Sequence, residues 1–238
     1  RAPADNDRRI RLEWERAGYD RTRVRTYSTE AHLLKDGSAE LVTELSLSAV
    51  HIQRILNIKS RWQIHTDGQI RVELNVKKDM EFPFLPRFGL RLFLDKSFCQ
   101  VRYCGMGPEE SYPDKHRASW HGIFEGNVRT MHRPYLKPQE YGAHWDCSWC
   151  SLSGEEMGLK VTSGEAFMFQ ACTYTQEELS GKAHDFELEE ADSTILCLDH
   201  SQSGISSGSC GPQLLEKYQF NEPEFSRTWI ITPGRTEE

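Results

Sequence analysis

Arg61-Trp-Gln-Ile-His-Thr-Asp-Gly-Gln-Ile-Arg-Val-Glu-Leu-Asn-Val76 decides the fold class. In its second half Ile70, Val72, Leu74 and Val76 alternate with Arg71, Glu73 and Asn75. A period of two places apolar side chains on one face of an extended strand and polar ones on the other. Asp67-Gly68 tolerates the positive φ angles of a tight turn, so the spacing predicts a hairpin with arms over 61–66 and 69–76.

The same period recurs elsewhere. In Leu41–Val50, Leu41, Leu45, Leu47 and Ala49 fall on one face, and Glu44, Ser46 and Ser48 on the other. Further strands are expected at 89–94, 99–103, 166–174, 193–198 and 227–231. Helical signals are few. Ile10, Trp14 and Ala17 recur at helical spacing before Gly18, a stop signal. Thr175-Gln-Glu-Glu178 fits a capping box. Strands never alternate with long helices, which excludes a (β/α)₈ barrel. The expectation is an all-β antiparallel sandwich with one or two short helices. No linker or internal repeat divides residues 1–238, so a single domain is expected.

Composition narrows the function classes. Hydrophobic residues make up 37% of 238 and charged residues 27%, as in a globular chain. No run approaches the roughly 18 apolar residues of a membrane span. The net charge of −7 opposes a phosphate backbone, so no nucleic-acid partner is expected. Arg21-Thr-Arg-Val-Arg25 reads as one solvated strand face. Seven cysteines, odd in number and scattered, do not form a secreted disulfide framework; reduced thiols in a cytoplasmic protein are the simpler reading. The chain opens on Arg1 rather than methionine, so its true N-terminus is expected further upstream, and a signal peptide stays open.

Candidate chemistry is sparse. Glycoside hydrolysis needs two carboxyl groups roughly 5–9.5 Å apart across a cleft. Glu109-Glu110, Glu155-Glu156 and Glu189-Glu190 are sequence neighbours, which point to opposite faces of an extended chain. They read as exposed surface. His144-Trp-Asp-Cys147-Ser-Trp-Cys150 offers half of a zinc site. If this stretch is extended, Cys147 and Cys150 face opposite ways, so no metal is assigned. Ser201–Pro212 is too rich in glycine and serine for a helix. It lacks the lysine and following helix of a phosphate cradle.

Four stretches together resemble the last domain of lac-type β-galactosidases, glycoside hydrolase family 2. They are Arg1-Ala-Pro-Ala-Asp-Asn-Asp7, Tyr103-Cys-Gly-Met-Gly-Pro-Glu-Glu-Ser-Tyr-Pro-Asp114, Tyr135-Leu-Lys-Pro-Gln-Glu-Tyr-Gly142 and Ser203-Gly-Ile-Ser-Ser-Gly-Ser-Cys-Gly-Pro212. They occur in family order along the whole chain. The resemblance implies a large two-sheet antiparallel supersandwich, like galactose mutarotases in shape. It implies a retaining enzyme whose two catalytic glutamates lie in a preceding barrel domain, so no catalytic residue is assigned here. The expected partners are that barrel or a large chain, a galactoside, and further copies in a homo-oligomer. No cofactor is expected in this chain; Mg or Na, where used, would belong to the barrel.

Within the family the loop at Ser206, Ser207, Gly208, Ser209 and Cys210 walls the sugar pocket, and Asp5, Asn6 and Asp7 lie near it. Many members carry a substrate-stacking tryptophan where this sequence has Cys210. In the second motif, Gly105 and Gly107 are expected to take backbone angles closed to other residues. Glu109 and Asp114 are expected to tie the loop to backbone amides. Two rival functions stay open from the residues alone. A mutarotase-type epimerase needs a histidine and a carboxylate converging on a pocket. A carbohydrate-binding module needs an exposed aromatic face, for which Trp62, Trp120, Trp145 and Trp149 are candidates.

Overall fold

A computed structural model describes residues 1–208 and 210–235. Its elements run α1 (Arg11–Ala17), β1 (Arg23–Leu33), β2 (Ala39–Ser48), β3 (Leu56–Ile64), β4 (Ile70–Lys78), β5 (Arg87–Asp95), β6 (Gln100–Gly107), β7 (Trp120–Asn127), α2 (Val128–Met131), β8 (Ala143–Ser153), β9 (Met157–Cys172), α3 (Gln176–Gly181), β10 (Ser193–Gln202) and β11 (Glu224–Arg235). Every strand pairing is antiparallel.

The hairpin forms as β3 and β4, with Gly68 alone at positive φ (+86°) and the His65 N–H donating to the Gln69 carbonyl at 2.9 Å. Its loop is wider than two residues, and β3 begins five residues before the expected arm. The alternation of β4 holds: Val72, Leu74 and Val76 are buried. Gly18 ends α1 in the left-handed conformation, as expected. Thr175 caps α3 by accepting from the Glu178 N–H at 3.0 Å, but Glu178 does not complete a capping box. Its carboxylate instead accepts from the Glu189 N–H at 2.9 Å. A third short helix, α2, adds to the two expected; Asn127 caps it.

The strands form one continuous network, β1-β2-β3-β4-β11-β9-β8-β6-β7, with a branch through β10 to β5. The branch point is β9, which is long enough to serve both arms. Its Met157–Thr162 portion pairs with β11, and its Met168–Cys172 portion pairs with β10. The two expected sheets are therefore continuous through β9, and β8 follows it across both portions, Ala143–Cys147 beside Phe167–Gln170 and Trp149–Ser153 beside Gly158–Thr162. Between them lies one core, where Val72, Leu74, Val161 and Trp229 from one arm meet Phe88, Phe169, Leu196 and Leu198 from the other.

Not every position follows the alternation. Ser46 is fully buried although β2 assigns it to the polar face, because the exposed Tyr27 lies over it with its hydroxyl 3.1 Å from Ser46 Oγ. Cys147 and Cys150 are both fully buried in the main core, contrary to the expectation of opposite faces. The pairing of β8 slips on both sides of Cys147, and Asp146 takes a positive φ of 56°. An extra residue of this kind resets which face the following side chains occupy.

Candidate functional site

The four family-like stretches are scattered in sequence but meet at one end of the sandwich. Asp5–Asp7 forms a single helical turn. Asp7, almost fully buried, pairs with the Arg1 guanidinium and accepts from the Ala4 N–H at 2.7 Å. Arg1 also donates to the Gly204 carbonyl at 3.4 Å and lies 5.3 Å over the Trp14 ring. The leading segment is thus tied to the serine-rich loop and to α1. Asn6 makes the second tie, donating from Nδ2 to the Ile205 carbonyl at 2.6 Å. Asp5 pairs with Lys137 at 2.6 Å, and its N–H donates to Gln139 Oε1 at 2.9 Å.

The loop itself is held from three sides. Ser203 is fully buried; its hydroxyl donates to the Leu85 carbonyl at 2.6 Å and accepts from the Phe220 N–H at 2.9 Å. Asp114 accepts from the N–H groups of Ile205 and Ser206 at 3.0 and 2.9 Å. Gly204 packs so close that a Cβ would lie 2.4 Å from the Asp114 carboxyl carbon. Gly208 takes φ +108°, and a Cβ there would lie 2.5 Å from the Asn6 carbonyl oxygen. Only glycine meets both demands. Ser206 and Cys210 are exposed and Ser207 is half-buried. Ser209 lies outside the described residues. Of the expected site residues, the structure brings Asn6, Asp7 and Ser206 into one bonded assembly through Ile205 and Gly204, with Gly208 packed against the Asn6 carbonyl.

The two middle motifs buttress this assembly, and two expectations about them change. Gly105 and Gly107 are not at positive φ; they are glycine because space is short. A Cβ would lie 2.3 Å from Cys147 Sγ at Gly105 and 2.2 Å from the Tyr103 hydroxyl at Gly107. Asp114 binds backbone amides as expected, but the second carboxylate to do so is Glu110, not Glu109. Glu109 is exposed and pairs with Arg133. Glu110 is buried, which corrects its reading as surface. It receives the Lys115 ammonium, the Tyr135 hydroxyl at 2.5 Å and the Gly142 N–H at 2.7 Å. Burial alone would raise its pKa, but these three donors hold the carboxyl below its usual range. Glu110 therefore joins the second motif to the third.

A buried charge cluster lies behind. Arg87 on β5 donates from Nε to Asp199 Oδ1 on β10 at 2.7 Å. Its Nη1 reaches Glu140 at 3.3 Å and Gln170 Oε1 at 3.2 Å. Burial raises the Asp199 pKa against the lowering effect of Arg87. Glu140 and Asp199 are two carboxylates on one cation. Hydrolysis needs two set on opposite sides of a bond, whereas this arrangement meets the requirement for pairing a buried charge. Sequence reasoning missed Arg87 and Asp199. The available signal was a charged residue directly after the apolar run Ile195–Leu198.

The geometry the rivals need is not met by their best candidates. His132 pairs with Asp185 at 2.8 Å and His200 with Glu222 at 3.4 Å, but neither pair lines the clefts of about 890, 910 and 650 Å³. Burial drives His144 down to a pKa of about 4, so it is neutral at physiological pH. The tryptophans do not share a platform. Trp62 packs against the core, and Trp145 stacks on His116 at 4.7 Å. The register puts Trp149 on the face of Ile123, while Trp120 packs edge-on against Phe124, on the other face.

Comparison with known proteins agrees with this convergence. The family model described as beta galactosidase small chain matches residues 1–231. A beta-galactosidase of Actinobacillus pleuropneumoniae is 42% identical over 225 residues, covering 94% of this chain and 22% of that protein. One from Staphylococcus xylosus is 35% identical, covering 93% and 22%. Among solved structures, a GalM/aldose epimerase homologue from C. elegans aligns over 89% of this chain and 70% of its own, with 7% identity and a TM-score of 0.41. The chain spans about a fifth of the length of these curated relatives. Matched along nearly all of its length, with the motifs that tie its loop, its leading segment and its charge cluster together, the chain belongs to the beta galactosidase small chain family.

Proposed function

We propose that this chain is a single C-terminal sandwich domain of a β-galactosidase. It supports a preceding catalytic barrel and completes the barrel's pocket for terminal β-D-galactosides such as lactose. The observation that carries this reading is the Asn6 bond to Ile205 together with the Asp114 clamp on Ser206. These contacts hold the leading segment and the loop against each other, leaving Ser206 and Cys210 outward. A partner docked at that end meets a preformed rim. The whole enzyme is a cytoplasmic homo-oligomer, and Mg or Na, where used, belongs to the barrel. Free buried thiols such as Cys150 and Cys172 support a reducing compartment. No helix among the described residues is long and apolar enough to cross a membrane.

The test is reconstitution. The purified chain alone is expected to leave a nitrophenyl galactoside intact, because among the described residues no acid and nucleophile are paired across a cleft. Mixed with a separately produced barrel portion of the same enzyme, it restores turnover. Hydrolysis by the rigorously purified chain, or a barrel portion indifferent to it, rejects the proposal.

A further inference from the structure

Among the described residues, strand β1 ends the strand order and pairs with β2 alone. All eleven of its residues are exposed, and the contact made on it from beyond β2 is that of Arg54, 5.5 Å over the Tyr27 ring. The register sorts its side chains. Arg25 stands opposite Ser46 and Glu30 opposite Val42, whereas Val24 stands opposite Leu47 and Ala31 opposite Leu41. Directly opposed residues share a face. Arg25 and Glu30 therefore share one face, and Val24 and Ala31 share the other, to which Leu45 and Leu47 contribute core contacts. The register shift between Thr26 and Ser28 makes this possible, because it brings residues five apart to the same side. The core stops short of β1: Val24 is 63% exposed and Leu33 81%.

We propose that the β1 edge is where two copies of this chain pair, antiparallel about a two-fold axis. An axis between Tyr27 and Ser28 sets Arg25 opposite the partner's Glu30, and by symmetry does so twice. The same register sets Val24 against the partner's Ala31 and Thr26 against the partner's Thr29. Charge complementarity favours it, since Arg25 and Glu30 each face an uncharged residue across β2. Within the chain Glu30 has His32 at 3.4 Å. A slip of one residue would oppose the charged face to the apolar one. A slip of two would leave Arg25 opposite Ser28 or His32. Bulges and arginines usually discourage edge pairing. Here the two bulges meet at the axis, and a four-residue ladder forms on either side.

This gives a surface to the oligomer of the proposed enzyme and rests on that reading only for its biological setting. Sedimentation velocity over a concentration series, on the chain alone, tests it with Arg25→Glu, Glu30→Arg and the double variant. All sites are exposed, and circular dichroism checks that each variant folds. The wild-type chain is expected to dimerise. Each single reversal weakens association about tenfold or more, and the double variant restores most of it. A wild-type chain that stays monomeric, or a dimer indifferent to both reversals, overturns the proposal. Galactoside turnover by the wild-type chain with its barrel portion is measured in parallel. Absent turnover with an intact, charge-dependent dimer counts against the enzyme reading and for the dimer.

Discussion

Asp114 and Ser206 are joined by three hydrogen bonds: the Ser206 N–H to Oδ2 at 2.9 Å, its hydroxyl to Oδ2 at 2.6 Å, and its hydroxyl to the Asp114 carbonyl at 3.1 Å. One carboxylate, ninety-two residues earlier in the chain, thus fixes the path of the serine-rich loop. Asp114→Ala is expected to cost about 1–3 kcal/mol, because it removes charge-assisted hydrogen bonds to two backbone amides, one of them on the buried Ile205. Hydrogen exchange should speed up at the Ile205 and Ser206 amides, while the β4 amides stay protected. Uniform acceleration across the sheets would show instead that Asp114 supports the whole fold.

Gly208 makes a second, local prediction. Its φ of +108° and its contact with the Asn6 carbonyl oxygen both oppose a side chain. Gly208→Ala should lower stability by about 1–3 kcal/mol. In the reconstituted enzyme it should raise KM more than it lowers kcat, because the rim moves while the catalytic groups stay in the barrel. A thermal melt and steady-state kinetics on the same variant check both parts.

Acid should weaken the fold in two separable steps. Burial lowers the His144 pKa from 6.5 to about 4, so the unfolded chain binds a proton that the folded chain refuses between those values. Stability therefore falls as pH drops from 6.5 towards 4, by about 3 kcal/mol at most. Glu110 has a depressed folded pKa. Its contribution is complete above the usual carboxylate value and disappears as pH falls through the folded value. His144→Gln should flatten the first step in denaturant melts across pH. Glu110→Gln should be less stable near neutrality, with the gap closing in strong acid.

Cys210→Trp separates a pocket wall from a packing residue. Cys210 is exposed, so a larger side chain there meets solvent rather than a filled core. The melting temperature of the chain should hold. The aglycone preference or KM of the reconstituted enzyme should change, since an indole offers contact area that a thiol lacks. A lower melting temperature with unchanged kinetics rejects the pocket-wall role.

The sequence by itself determined the β class, the hairpin at Asp67-Gly68, the stop at Gly18 and the solvent exposure of Arg21–Arg25, although only Arg23 and Arg25 lie on a strand and Arg21 ends the helical turn before it. These depend on neighbours one to four residues apart, and side-chain alternation, turn glycines and caps are local. It also supplied the four motifs, because short ordered patterns survive without knowledge of their contacts. Tertiary structure alone decided the rest. Glu110 is buried and Glu109 exposed because Lys115, Tyr135 and Gly142 converge on only one of two adjacent carboxylates. Cys147 and Cys150 share a core because β8 slips against its neighbour, which no periodicity announces. Arg87, Glu140 and Asp199 meet from three distant segments. A buried charge is tolerated only where its partner arrives, and that arrival is set by strand order and register rather than by spacing along the chain.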